Sequence, residues 1–194
     1  LANVAVLDSG VSKNAGVNLS TYTSSSSSPG DVDGNGHGTH IAGIIRGNTV
    51  TTARSAGFNF DGLASGANLI SVKVLDALGK GRTSDVLAGI DWVLSNGATY
   101  SIRVINMSLG APAVESYHTD PLCQATKRLY QAGFVVVASA GNIGKGPDGK
   151  PLYGTITSPG NSPWVITVGA VDDRGTQQRS DDQLASFSSR GPTS

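Results

Sequence analysis

Five nearly continuous apolar runs, rich in β-branched residues, limit what this chain can fold into: Asn3 to Leu7, Leu69 to Leu75, Val104 to Met107, Phe134 to Ala138 and Val165 to Val171. A strand with one wet face alternates apolar and polar residues. A strand packed on both faces need not, so these runs predict a buried parallel sheet. Helical signals lie between them. Thr83 or Ser84 is placed to cap a helix carrying Val86, Leu87, Ile90, Val93 and Leu94 on one face, with Asn96-Gly97 as its stop. Asp120 ahead of Pro121 opens another, whose buried stripe is Leu122, Ala125 and Leu129 before Gly133. Strand and helix in alternation imply an α/β fold in three layers, a mainly parallel central sheet flanked by helices.

At 194 residues the chain suits one domain or most of one, expected to be soluble. Tyr22 to Gly30, with five consecutive serines, reads as a solvated surface loop. Gly47 to Gly62 is long for a connection between elements and reads as a decorated insertion or a ligand loop. A formal net charge of zero, with only 14% charged residues, provides no basic face for nucleic acid or an anionic membrane. No apolar run approaches the roughly 18 residues that span a bilayer, and no signal peptide opens the chain. It begins on Leu1 rather than Met, as a processed or excised segment would. The single Cys123 can form no intrachain disulfide and reads as a small buried hydrophobe.

Three residues carry the chemistry. Asp8 follows Val4-Ala5-Val6-Leu7 and so sits at the carboxyl end of a strand, the edge where sites assemble in open α/β sheets. In Gly-Asn-Gly-His-Gly-Thr-His the glycines 36 and 38 clear the backbone around His37, and the apolar helix from Thr39 fixes it from behind. Imidazole changes protonation near neutral pH, and a carboxylate on its other nitrogen fixes the tautomer, a part Asp8 can take. Asn142, ending the run Phe134 to Ala140 with Gly141, can offer its amide to a developing oxyanion. His37 and His40 could instead be metal ligands on one helix face, but no third ligand stands at a recognisable spacing. His40 reads as a packed helix residue. Asp31 to Gly36 matches the first half of a calcium loop, yet Ala42 stands where the bidentate Glu is required. That stretch reads as a polar entry to His37.

These residues resemble the subtilisin-like serine proteases. The resemblance runs from Asn3 to about Pro192 and rests on five segments in the family's order: VAVLDSG, GHGTHIAG, VINMSLG, VVVASAGN, and VITVGAVD with ASFSSRGP. The order Asp, His, Ser is the one known for subtilisin. By resemblance Asp8 is the triad aspartate, His37 the general base and Asn142 the oxyanion-hole side chain. Ser108, Leu109 and Gly110 resemble the strand that pairs with substrate backbone, and Gly79, Lys80 and Gly81 the opposite rim, so that an extended peptide adds as a strand. Leu75, Val86 and Leu109 either line apolar subsites or pack in the core. The pocket floor, Thr157 to Gly160, has no acidic residue, which argues against a strict dibasic preference. No cofactor is required. By resemblance a structural calcium ion stays open at the Gly47 to Gly62 loop, which offers Asp61 and amides but no obvious cage.

The family's nucleophile opens a helix in a Gly-Thr-Ser-Met-Ala segment, and no such segment occurs here. Ser194, preceded by Pro192-Thr193 and followed by nothing, does not fill the role, because triad chemistry needs a serine held by rigid structure. The expectation is therefore residues 1 to 194 of a peptidase catalytic domain, truncated before the serine. The complete protein would be a secreted serine endopeptidase, with this chain alone inactive and its uncovered sheet showing an apolar patch. A propeptide or a complementing C-terminal fragment are its expected partners besides peptide substrates, with no nucleic acid and no membrane. A non-catalytic peptide-binding module that keeps the cleft is the competing reading.

Overall fold

The computed structural model describes residues 2–12, 19–24, 32–47 and 61–193. The chain divides into two compact units, Leu1–Ser108 with Gln131–Val135, and Leu109–Tyr130 with Val136–Ser194.

The first unit holds strands β1 (Asn3–Asp8), β2 (Leu19–Ser24), β3 (Leu69–Lys73) and β4 (Ile102–Met107), parallel in the order β2-β3-β1-β4. Among the described residues it also holds helices α1 (His37–Arg46) and α2 (Thr83–Asn96). The continuous apolar run of β1 is explained by its two helical neighbours. Val4 and Val6 pack with Ala42, Leu69, Ile41 and Ile45, on the α1 side. Leu7 lies toward α2, where Gly89 brings the helix backbone so close that a Cβ would meet Val74 Cγ1 at 2.6 Å and Leu7 Cδ2 at 3.8 Å. The α/β fold with its mainly parallel sheet is thus in place as the runs imply.

Several local expectations change. Leu19–Ser24 is a strand, not the start of a loop, because Thr21, Tyr22 and Thr23 carry strong β-propensity and pair with Ile70, Ser71 and Val72. The remaining serine tract, residues 25–30, lies outside the described residues. Helix α2 starts at Thr83 with Arg82 as its cap position, and the Arg82 amide donates to Asp85 Oδ2 at 3.2 Å. Val86, Ile90 and Val93 are buried in α2 as expected, while Leu87 and Leu94 are half-buried. The stop at Asn96-Gly97 holds for a packing reason: a Cβ on Gly97 would sit 2.5 Å from the Phe134 ring. His40 is exposed rather than packed, since α1 buries Gly38 and Ala42.

The second unit contains α3 (Pro121–Gln131) except its last residue, β5 (Val135–Ser139) except its first, β6 (Ile166–Val168), β7 (Val171–Asp172) and β8 (Gln183–Leu184). Asp120 caps α3, its Oδ1 accepting the Cys123 amide at 3.0 Å, and Leu122, Ala125 and Leu129 are buried as the stripe predicts. Strand β6 pairs in parallel with β5, and β7 pairs antiparallel with β8. The expected single buried strand from Val165 to Val171 is therefore two short ones. The chain turns out at Gly169-Ala170, where Ser188 Oγ accepts the Ala170 amide at 3.0 Å and the Ala185 amide donates to the Ala170 carbonyl at 2.9 Å. Ile166, Val168, Val171, Leu184 and Phe187 are all at least half exposed. Among the described residues no helix is long and apolar enough to cross a membrane.

Candidate active site

Asp8 ends β1 and is 1% exposed, with its carbonyl accepting the amides of Val74 and Leu75 as the chain leaves β3. Its carboxylate accepts the Ser9 amide at 2.7 Å. His37, the first residue of α1, places Nδ1 2.8 Å from Asp8 Oδ1 and 2.9 Å from Oδ2. The approach depends on glycine at position 38: a Cβ there would meet the Gly10 carbonyl at 2.2 Å and Asp8 Cβ at 3.1 Å. Gly36, at φ 90°, turns the chain in the left-handed region just ahead of the histidine. A neutral imidazole that donates Nδ1–H to a buried carboxylate keeps Nε2 as a bare acceptor. The histidine side chain remains 46% exposed, so the pair is open to a third group.

Asp33 holds this arrangement, a part that its place in a polar, glycine-rich entry does not reveal. Its Oδ1 accepts the Gly36 amide at 2.8 Å and the Asn35 amide at 3.2 Å. Its Oδ2 accepts the Thr39 amide at 2.8 Å and the Thr39 hydroxyl at 2.6 Å. The carboxylate thus caps the first turn of α1, where unpaired amides and the helix dipole favour negative charge. Burial pushes the Asp33 pKa up, but the hydrogen bonds from Thr39, Gly36 and Ser9 outweigh it and hold the acid below its usual 3.8. Ser9 ties the two carboxylates together. Its Oγ lies 2.9 Å from Asp33 Oδ1 and 3.2 Å from Asp8 Oδ1, and accepts the Gly38 amide at 3.0 Å. The sequence signal for Asp33 was available: an acidic residue three or four positions before a helix start.

Gly79, Lys80 and Gly81 form an exposed turn of the first unit, closed by Asp76. Asp76 Oδ1 accepts the Leu78 and Lys80 amides at 2.8 and 2.9 Å, and those backbone bonds, from Lys80 first, lower its pKa. Gly79 takes φ 70° against the Asn35 side chain. Leu75 beside the turn is half-buried, whereas Val86 is buried and packs in the core. Ser108, half-buried, accepts the Asn106 side-chain amide at 2.9 Å.

The second unit places Leu109, Gly110 and Asn142. The Leu109 carbonyl accepts the Ser139 hydroxyl at 3.2 Å, and Ala111 bridges Ser158 through paired backbone bonds of 2.9 Å. A side chain on Gly110 would strike Thr157 Oγ1 at 2.5 Å. Asn142 is exposed and follows Gly141, whose φ of 102° and contacts with Thr157 and Ser189 admit no side chain. Behind Thr157 to Gly160 lies a buried polar group that no local sequence pattern signals. The Ser158 hydroxyl donates to the buried Asp120 carboxylate at 2.9 Å, and the Cys123 thiol donates to Asn161 Oδ1 at 3.2 Å. Burial pushes that thiol up to about 11, with Asp120 adding to the rise and the Ser158 hydrogen bond opposing it. Cys123 therefore stays protonated and unreactive at neutral pH.

Among the described residues no three His, Cys, Asp or Glu side chains gather to hold a metal ion; of the Gly47 to Gly62 loop, on which the calcium expectation falls, Gly47, Asp61 and Gly62 are described and residues 48–60 lie outside. A model of the Subtilase family matches residues 2–194. Serine protease AprX of Bacillus subtilis (strain 168) is 43% identical over 166 residues, covering 83% of this chain and 35% of that protein. The minor extracellular protease Epr of the same organism is 34% identical over 189 residues, covering 97% of this chain and 25% of the relative. The solved structure of sphericase superposes with a TM-score of 0.74 at 29% identity, over 98% of this chain and 59% of that one. The chain thus spans about a quarter to a third of the length of these two curated relatives.

Proposed function

The chain belongs to the subtilase family, and on that premise we propose that residues 1–194 are the N-terminal part of a serine endopeptidase catalytic domain. Asp8 and His37 are the carboxylate and general base of its triad. The observation that carries this reading is the His37 Nδ1 contact to both Asp8 oxygens, 2.8 and 2.9 Å, on a carboxylate that is almost wholly buried.

A serine hydroxyl beside Nε2 gives its proton to that nitrogen as its oxygen attacks the peptide carbonyl. Asp8 stabilises the resulting imidazolium, and the Asn142 amide donates to the oxyanion. Collapse of the intermediate passes the proton to the leaving amine and leaves an acyl-serine. Water, deprotonated by the same histidine, then releases the acid and restores the serine. The sequence contains no Gly-Thr-Ser-Met-Ala segment, so the nucleophile is supplied from outside these 194 residues, by further sequence or by a complementing chain, and the 194 residues alone are inactive. A propeptide that assists folding and a calcium ion at the Gly47 to Gly62 loop belong to the same proposal.

By resemblance to the family the substrates are extended peptides or proteins, with the backbone of Gly79, Lys80 and Gly81 and of Leu109 and Gly110, following Ser108, as binding residues and Leu75 at an apolar subsite. The absence of an acidic residue from Thr157 to Gly160 supports a preference other than strictly basic. Secretion is proposed by analogy with the relative whose name describes an extracellular protease. The test is a serine-directed phosphonate probe applied to the 194-residue chain, the full-length product and its His37→Ala variant. Labelling of the unaltered full-length product alone is expected. No labelling of any of them would overturn the reading and favour a peptide binder.

A further inference from the structure

Lys73 ends β3 directly beside Asp8 in the sheet register, and it is 1% exposed, the largest of the fully buried side chains among the described residues. An ammonium is strongly hydrated, and taking it out of water is unfavourable unless its donors meet acceptors. Here Nζ donates to the carbonyls of Ser9 and Val32. Those two peptide units are not neighbours in the chain. Ser9 follows the triad aspartate, and its amide and hydroxyl both reach the Asp8 carboxylate. Val32 precedes Asp33, the carboxylate that caps the helix on which His37 stands. One buried cation therefore joins the backbone just after Asp8 to the backbone that leads into His37.

We propose that Lys73 is a positioning residue, whose ammonium fixes the Asp8 turn against the His37 segment through the Ser9 and Val32 carbonyls and so sets the carboxylate–imidazole geometry. It touches neither substrate nor the reacting atoms. The inference rests on the reading of Asp8 and His37 as base machinery. A methionine at position 73 would fill much the same space and keep the core apolar while removing all three donors. Small displacements of a general base are costly because the reacting atoms must already be aligned.

The test uses the full-length protein with Lys73→Met and Lys73→Gln, alongside the unaltered protein. In the unaltered protein, nitrogen–carbon couplings across hydrogen bonds from Nζ to the Ser9 and Val32 carbonyl carbons are expected by NMR. In the Met variant kcat on a chromogenic peptide should fall roughly tenfold to a hundredfold with KM changed less than about twofold. The His37 Nδ1 proton should exchange faster with water, and Gln, which retains one short donor, should fall between. Absent couplings, an unchanged kcat and proton exchange rate, or a rise in KM alone would each overturn the role. Failure of both variants to fold would make Lys73 a folding residue and overturn it as well. If the unaltered protein cleaves nothing, the functional reading fails by itself, while the couplings and the His37 proton still decide whether the clamp exists.

Discussion

Strands β1 and β6 are built from similar residues and meet opposite fates. β1 pairs on both edges, with β3 and β4, and Val4 to Leu7 are at most 8% exposed. All three residues of β6 are exposed, with Ile166 at 56% and Val168 at 51%. The difference shows where precision resides. Asp8 inherits its place from a strand fixed by two registers and two helices, and the contacts around it leave little slack. The β6 to β8 region presents apolar side chains to its surroundings and bears neither member of the Asp8–His37 pair.

Breaking the contrast from the β1 side should have by far the larger effects. His37→Ala in the full-length protein should reduce kcat by on the order of 10⁶, the scale known for subtilisin, as measured by steady-state peptide hydrolysis. Gly38→Ala drives a Cβ toward the Gly10 carbonyl, and a loss of about 2 kcal/mol is expected from urea unfolding, after allowing for alanine's better helix propensity. Val6→Thr puts a hydroxyl into a 1% exposed site and should cost about 1–2 kcal/mol in the same assay. Asp33→Asn should cost about 1 kcal/mol near neutral pH. Because the folded pKa of Asp33 lies below 3.8, its charged form stabilises the fold above that pH. The gap between the Asn variant and the unaltered protein should close as pH falls through the lowered folded value. The smallest effect belongs to β6, where Val168→Thr should change stability by no more than about 0.5 kcal/mol. A Val168 effect equal to that of Val6 would end the contrast.

The parts of this arrangement visible in the sequence are those with a local signature. Apolar runs located β1, β3, β4 and β5, and glycines beside histidine located the Asp8 and His37 pairing. What the sequence hid depends on the tertiary setting. The run Val165 to Val171 has the composition of a buried strand, but Ser188 and Ala185 draw the chain aside at Ala170, and no local pattern encodes that. Leu19 to Ser24 was obscured by the serines beside it. Lys73 sits inside an apolar run where a charge reads as a strand end, and only the fold shows its ammonium reaching carbonyls 41 and 64 residues away in sequence. Asp120 likewise reads as a helix cap from sequence, and its second bond, to Ser158, is a tertiary one.

The central claim is that Asp8 holds His37 with Nδ1 protonated and Nε2 free to act as a base. Nitrogen-15 NMR of histidine-labelled protein, taken where His37 is neutral, reads this directly. The proton should reside on Nδ1, with Nε2 giving the signal of an unprotonated ring nitrogen, and Asp8→Asn should remove that preference. A His37 that carries its proton on Nε2 in the unaltered protein would contradict the account.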